Sequence, residues 1–161
     1  VVPIASTTAS WVRIEADRLS PRGYDGDYIF HLAELLVFSG PENVALRRPV
    51  TASTQSPILI SPWGARFLTD GFVPYLMDAS GGVKSNAWMS PLAADAPALT
   101  VDLGTSQTIS RIHLHAIELS DTIPQGSLGD FGVPKHLIIE AANEADSSAS
   151  GETRSRMSSR A

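Results

Sequence analysis

An all-β, antiparallel sandwich is the fold class this sequence predicts, and three observations carry the prediction. Short stretches alternate apolar and polar residues with a period of two, at Trp11–Ala16, Leu99–Leu103 and Arg111–Ala116. Segments rich in proline and glycine separate them, with Pro57, Pro62, Pro74, Pro91 and Pro97 and the pair Gly81-Gly82 falling between the early and the central stretches. No segment carries a convincing amphipathic helix, so strands packed face to face are the architecture left.

The strands follow in order. In Trp11–Ala16, Val12, Ile14 and Ala16 share one face and Trp11, Arg13 and Glu15 the other, the mark of a half-buried strand. Ser20–Asp27 holds the Pro, Gly and Asp that break regular structure and reads as a loop. Tyr28–Phe38 is nearly continuous in apolar residues. Its centre has helix propensity, but its aromatic and β-branched ends and the abrupt stop at Ser39-Gly40-Pro41 favour a strand. Residues 99–103, 109–117 and 136–141 complete the set, with Leu99, Val101, Leu103, Ile112, Leu114 and Ile139 expected in the core. From Asp146 onward Ser, Ala, Gly and Arg dominate, and residues 146–161 are expected to be a disordered tail.

Composition narrows the function classes. At 161 residues, with 43% hydrophobic and 18% charged, the chain suits one well-buried domain. A net charge of −5, with Lys84 and Lys135 the only lysines, gives no basic patch for nucleic acid and a poor match to anionic lipid heads. Without cysteine there is no disulfide framework and no thiolate metal site. No apolar run is long enough to insert across a membrane as a helix. The chain begins at Val1 rather than Met, as expected of a processed chain or a fragment.

Three motifs in order carry a family resemblance: Asn43–Ser53 (NVALRRPVTAS), Leu68-Thr69-Asp70-Gly71, and Ala98–Gly104 (ALTVDLG). Together with Trp88 they resemble the discoidin family (coagulation factor 5/8 type C), galactose-binding-like jelly-roll β-sandwiches similar to bacterial carbohydrate-binding modules. The resemblance spans about two thirds of the chain. Residues 11–40 resemble the closing strands of such a module, yet they precede residues 43–142, which resemble its opening and central part. A discoidin-like unit over 11–145 is therefore expected to be incomplete, cut from tandem modules, or permuted so that the early strands complete the same sandwich. Close termini make the permutation geometrically feasible.

Asp70, followed by Gly71, is the sharpest single site. A hard cation such as Ca²⁺ takes several oxygen ligands, and a glycine lets the backbone curl around it. The resemblance implies a structural Ca²⁺ in this loop, completed by a closing-strand glutamate that Glu34 matches. The bland alternative is that Asp70 caps a turn and Glu34 is an exposed strand carboxylate. Asp78 and Asn86 fall in the same region but align loosely. His113 and His115, two apart on a strand, point to one face as a metal site would need, with His136 as a third ligand if its strand is adjacent; otherwise they form a solvated polar row.

Motifs for catalysis are lacking: there is no Gly-x-Ser-x-Gly, His-Glu-x-x-His, phosphate loop or Gly-x-Gly-x-x-Gly, and the expectation is that the chain is no enzyme. Loop aromatics remain. Trp63, Tyr75 and Tyr24 could stack on the apolar face of a pyranose, whereas Trp88 is expected to plug the core. The expected function is a non-catalytic carbohydrate-recognition module of a larger secreted or cell-surface bacterial protein, with a glycan or glycosylated surface as partner. The rival is a spacer that packs against a neighbouring catalytic domain of the same parent protein.

Overall fold

The computed structural model describes residues 2–21, 26–54, 64–71, 88–91, 93–115, 134, 136–143 and 154–158. Their strands are β1 (Val2–Arg18), β2 (Ser20–Pro21), β3 (Tyr28–Ile29), β4 (His31–Leu32), β5 (Glu34–Ser39), β6 (Glu42–Asn43), β7 (Val50–Ala52), β8 (Trp88–Met89), β9 (Ala98–His115), β10 (His136–Ala142) and β11 (Arg154–Ser158), with one 3₁₀ turn at Ala65–Thr69. The chain is all-β and antiparallel, as its alternating segments predict. Among the described residues seven strands form one sheet in the order β11-β10-β1-β9-β5-β6, with β7 also paired to β9, while β2–β3 and β4–β8 form separate pairs.

The long strands β1 and β9 are the spine. They pair twice, Val2–Ala9 with Ile112–Gln107 and Trp11–Glu15 with Asp102–Ala98, with a register shift between Ala9 and Trp11. An irregularity of this kind changes which parity of residue faces the core. Ala9 is buried on one side of it and Val12, Ile14 and Ala16 on the other. Opposite it, Gly104 takes a positive φ of 79°, and its amide donates to Asp102 Oδ1 at 2.7 Å. The Asp-Leu-Gly sequence is thus where β9 takes up its extra residues.

The early strands share this sheet directly. β1 also pairs with β10 (Ile14 opposite Ile139), and β5 pairs with β9 (Leu35 opposite Leu114, Val37 opposite Ile112). Of the six expected core residues, Leu99, Val101, Leu103, Ile112 and Ile139 are buried, and Leu114 packs partly buried against them. Each such aliphatic side chain contributes about 1.5–3 kcal/mol on leaving water. Trp88 is fully buried, edge-on to Phe30 with ring centroids 5.3 Å apart, which makes it the core plug expected of it.

Two expectations need correction. Tyr28–Phe38 is not one continuous strand but three short ones. It breaks at Phe30, whose amide donates to the Ser90 side chain at 3.0 Å, and at Ala33, whose amide donates to the His115 carbonyl at 2.8 Å. The 146–161 tail is not wholly without structure: Arg154–Ser158 pairs with β10, His136 opposite Ser158 and Glu140 opposite Arg154. Backbone pairing needs no apolar side chains, so composition was a poor guide there.

Candidate functional site

The best-defined site grows from a turn. Asn43 ends β6, and its Oδ1 accepts from the amides of Val37 and Ala45, both at 3.2 Å, so the chain reverses tightly behind β5. Arg48 closes the turn by donating its amide to the Ala45 carbonyl at 3.0 Å, and Arg47 between them sits at φ 58°, in the left-handed region. The 3₁₀ turn is stapled to this reversal from both sides. The Arg47 amide donates to the Thr69 carbonyl at 2.5 Å, and Thr69 Oγ1 donates to the Arg48 carbonyl at 2.7 Å. Leu68, fully buried, anchors the same turn in the core.

Asp70 and Gly71 leave this staple with little freedom. Gly71 has a φ of 87°, and its amide donates to Glu34 Oε1 at 3.0 Å. Glu34 is not the exposed strand carboxylate of the bland alternative, for it has no solvent-exposed surface and its Oε2 has no hydrogen-bond partner. Burial raises its pKa from 4.5 to about 8; the Gly71 hydrogen bond opposes that rise and the nearby Asp70 charge adds to it. The fold therefore brings the Asp70–Gly71 loop to Glu34: the Gly71 amide bonds the buried Glu34 carboxyl, and the exposed Asp70 is near enough for its charge to be felt there.

The donor set suits a hard cation. It offers a buried carboxyl with one oxygen unengaged, which a cation would have to deprotonate, within electrostatic reach of Asp70 on a loop that a glycine allows to curl. Among the described residues no third His, Cys, Asp or Glu joins them, so the other ligands would be carbonyls and water. Asp78 and Asn86, and the aromatic candidates Tyr24, Trp63 and Tyr75, lie outside the described residues.

The histidines divide differently from expectation. His113 and His115 do lie on one face of β9, their ring centroids 6.3 Å apart. His113 packs on Phe38 at 4.9 Å, and the Arg111 guanidinium sits 4.2 Å over the other residue of that contact, Phe38. Burial, followed by neighbouring positive charges that include Arg111 and His115, lowers the His113 pKa, and its Nε2 is buried without a partner. His136 cannot be their third ligand. Its strand pairs with β1 rather than β9, opposite Arg18, and its Nδ1 contacts Asp17 Oδ2 at 2.9 Å. The opposite end of β1 is the one that meets Ile112.

The sequence reading missed the parts that hold the loop: Asn43, Thr69 and the Gly71 amide. An Asn opening a turn and a Thr-Asp-Gly triplet are local signals for such bonding, but their partners 21 and 37 residues away are not visible in any local pattern. Comparison with family models, curated proteins and solved structures gives no match for this chain.

Proposed function

We propose that this chain is a non-catalytic carbohydrate-recognition module of the discoidin, galactose-binding-like kind, carried by a larger secreted or cell-surface bacterial protein. The observation that carries the reading is the buried Glu34 carboxylate on the Asp70–Gly71 loop, the pairing that the resemblance of those motifs implies. Glu34 and Asp70 would hold a Ca²⁺ ion, whose chemistry there is structural: it neutralises two carboxylates and braces the loop. The antiparallel strands supply a rigid support for ligand-binding loops, which is where recognition concentrates in such folds. Trp63, Tyr75 and Tyr24 are the aromatic residues assigned to the sugar, each offering a flat apolar face to a pyranose ring. Among the described residues no helix is long and apolar enough to cross a membrane.

The test is a glycan array probed with the isolated chain, with calcium and with a chelator. Binding to a related set of glycans that weakens on chelation supports the whole reading. Binding that ignores chelation keeps the lectin and removes the calcium from it. Absence of binding under both conditions overturns the carbohydrate assignment.

A further inference from the structure

We propose that His113 and His115 form a second metal site, a two-imidazole chelate for a transition-metal ion of the Ni²⁺, Cu²⁺ and Zn²⁺ class, next along the sheet to Glu34. Three observations converge on it. Residues i and i+2 of a strand project from the same face, and these two lie on β9 with the buried Ile112 and the core-packed Leu114 anchoring the opposite face. The backbone beneath them is held by pairing to β5, with Leu36 opposite His113 and Glu34 opposite His115. The imidazoles thus stand on a fixed base.

Their spacing is within reach of a shared ion. Two imidazole nitrogens each about 2.0–2.1 Å from one ion place the ring centroids roughly 4.5–5 Å apart at right-angled or tetrahedral coordination. The observed separation is 6.3 Å, with the rings inclined at 46°, so the two rings must approach by more than an ångström through side-chain rotation to share an ion. Finally, His113 Nε2 is buried and makes no hydrogen bond. A ring nitrogen in that position loses its hydration without compensation, a cost that a ligand would offset.

Nitrogen ligands distinguish this site from the Glu34–Asp70 loop. Imidazole favours borderline transition metals, whereas an all-oxygen set favours calcium. Two protein ligands leave the remaining coordination positions to water, because no third metal-binding side chain stands with them among the described residues. Arg111 works against the site. Its guanidinium lies on the same strand face, two residues from His113, and repels any cation there even while engaged over Phe38 at 4.2 Å. Binding should accordingly be weaker than at a closed three- or four-ligand site, and removing that charge should strengthen it.

The experiment is isothermal titration of the folded chain with Cu²⁺, Ni²⁺ and Zn²⁺ in turn, in saturating Ca²⁺ so that the carboxylate loop is occupied or blocked. One ion per chain is expected, with Cu²⁺ tightest of the three. His113→Ala and His115→Ala should each weaken binding by about tenfold or more, since either leaves a single ligand. His136→Ala should leave it unchanged, and Arg111→Ala should tighten it. Should His113→Ala fail to fold, His113→Gln preserves the bulk against Phe38 and removes the ligating ring. Absence of saturable binding up to millimolar metal overturns the proposal. So does binding that survives both single histidine variants, or that is lost only with His136.

Discussion

The Gly71 amide donates to Glu34 Oε1 at 3.0 Å, and this one contact ties the Asp70 loop to the first residue of β5. Among the described residues it is also the only hydrogen bond of the Glu34 carboxyl, whose second oxygen is buried and unpartnered. A single amide donor does not compensate an ionised carboxylate for lost water, which is why burial prevails and the pKa rises.

Stability should therefore depend on pH in a defined window. Below about 4.5 Glu34 is protonated in both folded and unfolded chains; from there up to about 8 the folded chain keeps a proton that the unfolded chain releases. The stabilisation is complete below that window and is lost as pH rises through about 8, by an amount on the order of a few kcal/mol. Melting temperatures measured from pH 4 to 9 in chelator should fall across it. Glu34→Gln, which keeps an oxygen for the Gly71 amide but no titrating group, should flatten the slope. An equally steep slope in that variant assigns the effect to another group.

Calcium should act on the same carboxyl from the other side. An ion held there would bind the ionised form, so it should compete with the proton and be most effective towards pH 8, where the uncompensated charge is costliest. At about a hundredfold excess over its Kd, a ligand selective for the folded state stabilises it by about 2.7 kcal/mol. Both Asp70→Asn and Glu34→Gln should abolish the rise in Tm. Asp70→Asn should also lower the pH at which Glu34 loses its proton, because the Asp70 charge is one of the causes of its elevation. A Tm indifferent to calcium at pH 8 removes the ion from this loop.

How much of this was legible in the sequence varies by element, for physical reasons. The period-two pattern of Val12, Ile14 and Ala16 and of Leu99, Val101 and Leu103 is the burial pattern itself, because a strand with one buried face has no other way to be written. Residues 2–10 were not read as strand. They are mostly small or hydroxylated, and the register shift before Trp11 breaks the alternation that would have exposed them. Asp70 was legible through its turn chemistry, and Glu34 through the family resemblance, but its burial was not, since that depends on the packing of a loop 37 residues further on. His113 and His115 were readable as neighbours on one face. The exclusion of His136 needed the strand order, in which β1 lies between β10 and β9.

The turn that holds the loop carries backbone strain that substitution can relieve or add to. Arg47 sits at φ 58°, where a side chain costs about 1–2 kcal/mol and glycine does not. Arg47→Gly should raise stability by about 1 kcal/mol after the extra chain entropy of glycine is subtracted. Gly71→Ala should do the reverse. Its φ of 87° penalises any Cβ, and that atom would stand 2.8 Å from Leu46 Cδ1. Leu46 is half exposed and can swing aside, so the backbone conformation rather than the clash sets the loss, about 1–2 kcal/mol. Urea denaturation midpoints of the two variants should move in opposite directions.

The tryptophans separate recognition from folding. Trp88 is fully buried against Phe30, so Trp88→Ala opens a cavity in the core and should cost about 3–5 kcal/mol of stability. The indole N–H of Trp88 is buried without an acceptor, so Trp88→Phe removes an unsatisfied donor together with some packing and should cost clearly less. Trp63, assigned to the sugar, should behave in the opposite manner. Trp63→Ala should weaken glycan binding by about 1–3 kcal/mol, the scale of a lost aromatic contact and its buried area, with the melting temperature unchanged. The two quantities must be measured on the same preparations, because a destabilised chain also loses binding. If Trp63→Ala lowers the melting temperature as Trp88→Ala does, Trp63 belongs to the core, and the recognition face must be sought around Tyr24 and Tyr75 instead.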